Sequence, residues 1–169
     1  MKYIFRTYIW PEFHSWFLQH HIIPAHKRQR MLNQQQADIL IRALKEAVKR
    51  EAFEWIATER HDELFVTVAN AGVEFVLSLN RNPFEIRLHL RTKKENTGLM
   101  RLDGAPYHSN PDGTELRDTP HLHYFKEGYG LKWANPVDWY DVKDPFGTLE
   151  RFLKEIQARF PGGIQTAMV

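Results

Sequence analysis

The sequence predicts an α+β domain: one antiparallel sheet, a meander of about five to seven strands, covered on one face by helices. Three observations predict it. The 169 residues fit a single domain with a real core, and 43% hydrophobic with 26% charged residues is ordinary globular usage. Between residues 52 and 103, short runs rich in aromatic and β-branched residues alternate with turn residues. Segments of helical period stand on either side of that region.

In order along the chain, "KYIFRTYIW" reads as a strand ended by Pro11, and "PEFHSWFLQHHII" as a short helix closed by Pro24. These form an extension over residues 1–30 within a single domain over 1–169. The clearest helix follows. Asn33 is its cap, and "QQQADILIRALKEAVKR" repeats Leu40, Leu44 and Val48 at four-residue spacing, with a cationic end. Strands are expected in "AFEWIAT", "LFVTVAN", "GVEFVLSLN", "FEIRLHLR" and "GLMRLD", with turns at "RHDE", "NAG" and "NRNP". "YHSNPDGTELRDTP" is expected as a loop turning at Pro111-Asp112-Gly113. "HLHYFKE" and "LKWA" return to strand around Gly128 and Gly130. A closing helix begins near Thr148, carries Leu149, Phe152, Leu153 and Ile156 on one side, and stops at Pro161-Gly162-Gly163.

Composition excludes some classes. The chain has no cysteine, which rules out a disulfide framework or a thiolate zinc site and points to a reducing, cytoplasmic setting. No apolar run approaches the roughly 20 residues that span a bilayer. The start, "MKYIFRTYIWPEF", lacks the apolar stretch of a signal peptide. A formal charge of +2 does not by itself announce nucleic acid.

Side chains alternate across a strand, so Arg87, His89 and Arg91 oppose Ile86, Leu88 and Leu90. Likewise Arg101 and Asp103 oppose Met100 and Leu102, and His121 and His123 oppose Leu122 and Tyr124. If these strands pair in order, their apolar faces share one core and the seven polar residues gather on one surface. Arginine forks match phosphate oxygens, and imidazoles transfer protons near neutral pH. His108 could approach from the loop, and Glu127 and Lys132 stand near the rim.

The blocks "RLDGAPYHSNPDGTE" and "PHLHYFKEGYGLKWA" carry a family resemblance. From about Gln35 onward the chain resembles a family of small, functionally uncharacterised bacterial and prophage proteins. Arg101, Asp103, His108, Asn110, Asp112, His121, His123, Glu127, Gly128, Lys132 and Trp133 are the matching positions. The first thirty or so residues find no counterpart there. The resemblance implies a similar early helix and a meander, and no particular activity.

The function expected from these residues is metal-independent cleavage of RNA or a related phosphodiester. His108, His121, His123, Arg101 and Lys132 would be catalytic, and Arg87, His89, Arg91, Asp103, Glu127 and Tyr129 would bind substrate. Proton transfer by histidine needs no cofactor, and arginines near the histidines should repel a metal ion. Two alternatives stay open. One is a non-enzymatic module that binds nucleic acid or a protein partner, with tyrosines and Trp133 as stacking platforms. The other is a metal-dependent hydrolase built on the His-x-His pair, with Asp103 or His108 as a third ligand.

Overall fold

A computed structural model describes residues 32–69 and 72–165, which lie in one compact unit, Leu32–Val169. The strand and helix expected before residue 31 lie outside the described residues. The elements run α1 (Gln34–Arg42), β1 (Lys45–Ala47), β2 (Phe53–Glu54), β3 (Arg60–Thr67), β4 (Glu74–Asn82), β5 (Glu85–Thr92), β6 (Gly98–Asp103), β7 (Tyr107–Ser109) and β8 (Glu115–Arg117). They continue with β9 (His121–Lys126), β10 (Gly130–Pro136), α2 (Pro145–Glu155), β11 (Ala158–Arg159) and β12 (Ile164–Gln165).

The α+β class holds, but the sheet is larger than expected and not wholly antiparallel. Eight strands lie in the order β10-β9-β6-β5-β4-β3-β1-β11. The meander from β3 to β6 is antiparallel, whereas β1 runs parallel to β11. Two small ribbons stand apart, β2 with β12 and β7 with β8.

The extra strand comes from the segment read as one long helix. A capping box between Asn33 and Gln36 starts α1, but it ends at Arg42. Lys45 and Ala47 then turn inward at two-residue spacing, filling the slot between β3 and β11. Sheet pairing overrides helical propensity here, which leaves Leu44 and Val48 exposed. Lys45 is fully buried. Its Nζ donates to the carbonyls of Ile41 (2.8 Å), Ala43 (2.7 Å) and Ile156 (2.8 Å), at the C-terminal ends of both helices. Both helices therefore cover the face to which Lys45 points. That face also carries Phe65, Phe75, Leu77, Leu79, Leu88, Leu90 and Leu102, all fully buried.

Two expected turns and loops are strand. "RHDE" opens β3, and "YHSNPDGTELRDTP" contains the β7–β8 hairpin, whose turn needs Gly113 at φ 86°. The closing helix starts earlier than expected, because Asp144 accepts from the Gly147 N–H (2.9 Å) and Pro145 fits the first turn. At the end of β6, a Cβ on Gly104 would lie 2.6 Å from the Tyr140 hydroxyl, which itself accepts from Ile86 N at 2.8 Å. Gly104→Ala should therefore cost about 1–3 kcal/mol. Thermal denaturation checks this, and an unchanged midpoint would mean that Tyr140 moves aside freely.

Candidate functional site

Cross-strand register assembles the polar face. Ser78 stands opposite His89, His89 opposite Arg101, Arg101 opposite His123, and Asp103 opposite His121. Arg87, His89, Arg91, Arg101, Asp103, His121 and His123 share the side away from the helices. They do not form one open surface. Arg87 pairs with Glu85 at 2.7 Å, and Arg91 with Asp62 at 3.4 Å and with the Ser78 hydroxyl. Both are neutralised locally, and neither pairs with His108, His121 or His123. His89 is walled in beside Gly98. Burial first, then the charge of Arg91, pushes its imidazole down to about 4, so it is neutral near pH 7.

The centre of the face lies under the β7–β8 hairpin. His121 and His123 are each 1% exposed. The His108 ring stacks on His121 (centroids 5.2 Å apart) and meets His123 edge-on at 4.6 Å. Each of the three offers a ring nitrogen within 4.8 Å of the others. Asn110 holds the hairpin in place: Ala134 N donates to its Oδ1 (2.8 Å), and its Nδ2 donates to Ala134 O (3.1 Å).

Hydrogen-bond partners fix the tautomers. His121 Nδ1 lies 2.8 Å from Thr119 O, and His123 Nδ1 lies 3.0 Å from Leu131 O. A carbonyl only accepts, so both Nδ1 atoms carry protons. Each neutral ring then has its lone pair on Nε2. His121 Nε2 faces Asp103 Oδ1 at 3.2 Å, and His123 Nε2 faces Asp103 Oδ2 at 3.5 Å. His108 Nε2 lies 3.1 Å from both Asn110 Oδ1 and Lys132 O, so it donates and Nδ1 keeps the lone pair. A neutral imidazole lone pair against a carboxylate is repulsive unless a cation or proton comes between them.

Arg101 supplies one such charge. Its Nη2 donates to His123 Nε2 at 2.9 Å, and its Nε stands 2.9 Å from Asp103 Oδ2 in an ion pair whose N–H is not aimed at the oxygen. Burial would raise the Asp103 pKa, but its contact with His123 and the charge of Arg101 outweigh it and hold the carboxyl well below the usual range. For His123, burial outweighs Asp103, and with the help of Arg101 it lowers the pKa.

Beside the cluster lies an open groove of about 490 Å³, lined by Arg101, His108, His123, Tyr129, Leu131 and Lys132 among others. A bulge in β10 between Gly130 and Trp133 bears Leu131 and Lys132. Glu127 does not reach the histidines. Its carboxylate accepts from Gln34 N (3.1 Å) and so serves the start of α1. Sequence reasoning missed the part played by Asn110, which reads as an ordinary turn residue. Nothing short of the fold announces its bonds to Ala134.

The fold and site together define an α+β protein on a large mixed sheet, with three histidines and an aspartate closed under a hairpin at one end. The chain belongs to DUF6978, a family of unknown function, whose model matches residues 32–158 and so spans the whole histidine site. No curated protein and no solved structure matches it.

Proposed function

We propose that the protein is a metal-dependent hydrolase of phosphate esters, with His108, His121 and His123 as ligands and Asp103 beside them. The observation that carries this reading is the convergence of three ring nitrogens, two on rings whose Nδ1–H is anchored by a backbone carbonyl. That anchoring is what orients imidazole for a metal. Nitrogen donors on a tetrahedral zinc ion stand about 3.4 Å apart. The 4.8 Å spread would have to contract by ring rotation for all three to bind one ion. The reason to expect chemistry without metal was a crowd of arginines, and two of these, Arg87 and Arg91, are paired elsewhere.

Proton transfer by all three histidines fits the geometry less well. His121 is closed off, and its lone pair faces Asp103 instead of the groove. A divalent ion would supply Lewis-acid activation of a phosphoryl oxygen and of water. His108 and His123 border the groove where an ester would lie. Arg101 and Lys132 would bind its charged oxygens. In the net reaction water oxygen bonds to phosphorus, the P–O ester bond breaks, and the leaving alcohol takes a proton from the water.

Elemental analysis should find about one zinc or similar ion per chain, bound by nitrogen and carboxylate ligands. Bis(p-nitrophenyl) phosphate or single-stranded RNA should be cleaved, a chelator should stop the reaction, and added zinc or manganese should restore it. RNA cleavage that survives chelation would return the metal-free acid–base reading. RNA binding without cleavage would instead make the protein a binding module.

A further inference from the structure

The geometry points to Arg101 as a competing cation that couples metal binding to phosphate binding, an inference that rests on the metal reading above. His123 has one lone pair to give, because its Nδ1–H is committed to Leu131 O. Arg101 Nη2 takes that lone pair at 2.9 Å. A metal ion needs the same electron pair, so guanidinium and metal exclude one another at His123 Nε2. Arg101 also neutralises Asp103, which a divalent ion beside the carboxylate would do in its place.

A displaced guanidinium has one direction to go. Asp103 and His123, both buried, hold it on the inner side. Outward, the Arg101 side chain is already 40% exposed and lines the groove. Lys132 lies on that same groove, and among the described residues the lysines in ion pairs are Lys49, Lys93 and Lys94. Lys132 is therefore a cation without a carboxylate partner there. Moved beside it, the planar Arg101 fork would complete a two-cation seat for a phosphate group. Metal entry thus prepares the phosphate site, and by linkage a bound phosphate tightens the metal.

The test uses the full chain and two probes: Co²⁺, followed by its visible absorption, and phenylphosphonate, an uncleavable phosphate analogue. In the wild type, saturating Co²⁺ should tighten phenylphosphonate binding by about 5-fold or more. Arg101→Ala should bind Co²⁺ about 10-fold more tightly than wild type, on the same scale of coupling, and should lose most of the enhancement for phenylphosphonate. Lys132→Ala removes an equal charge without freeing the His123 lone pair, so it should leave Co²⁺ affinity nearly unchanged. Near-ultraviolet circular dichroism checks that each variant keeps its fold. If neither wild type nor Arg101→Ala binds Co²⁺, the metal reading itself fails. If the wild type binds Co²⁺ and Arg101→Ala binds it no more tightly, the metal site stands and the competition is overturned. Equal tightening by Lys132→Ala would also overturn it, since general charge would then explain the effect.

Discussion

His123→Gln should abolish tight metal binding and lower phosphate-ester hydrolysis by more than the roughly 10–100-fold that loss of an outer partner of a metal ligand costs. His123 joins the parts of the site. Its Nδ1–H is held by Leu131 O, its Nε2 touches Arg101 and faces Asp103, and its ring borders the groove. Glutamine keeps a polar group of similar reach and limits the cavity left at a position 1% exposed. His121→Gln should lose metal as severely, although its ring is closed to the groove. That second variant separates the two kinds of chemistry. A metal centre needs both histidines, whereas acid–base catalysis by groove-facing groups would survive at His121→Gln while falling at His123→Gln. Metal stoichiometry and hydrolysis rates, measured on protein with a native circular dichroism spectrum, decide it.

Lys45→Met should lower stability by about 3 kcal/mol, because three carbonyls, that of Ile156 buried and those of Ile41 and Ala43 partly so, lose a charged donor and methionine preserves the volume. In a chain of this size that corresponds to a melting point about 10 °C lower. The ammonium sits where the negative ends of two helices meet and lies 5.2 Å from the Phe75 ring centre. Burial pushes its pKa down to about 7, whereas the three carbonyls favour the charged form. Urea unfolding at pH 6.5, where the ammonium is protonated, is the suitable measurement. A variant as stable as wild type, or more so, would mean that burying the charge costs as much as its three bonds return.

Much of the polar face was legible because it depends only on two-residue alternation. "FEIRLHLR", "GLMRLD" and "HLHYF" each declare an inward and an outward side, and the observed register puts Arg101 opposite His123. The end of α1 was not legible. Leu40, Leu44 and Val48 keep helical spacing, and only a vacant slot between β3 and β11 turns Lys45 and Ala47 into strand. The parallel pairing of β1 with β11 joins residues 113 positions apart and leaves no local trace. At the site, alternation gave the side of the sheet but not the depth. His121 and His123 look outward in sequence, and they are buried because a hairpin read as a loop folds over them. Glu127 shows the same limit: its neighbours in sequence include the histidines, and its partner in space is the first turn of α1.

β10 ends the sheet, and the outer edge of a last strand is a template onto which another chain's strand can add. Here that template is already filled. The side-chain amide of Asn110 gives and takes a hydrogen bond at Ala134 in the way a neighbouring peptide unit would. His108 occupies the Lys132 carbonyl, and Pro136 has no N–H to offer. The bulge at Leu131 and Lys132 breaks what flat run remains. The residues that roof the histidine pocket therefore also guard the protein against edge-to-edge aggregation. A substitution made there to probe chemistry would alter solubility as well.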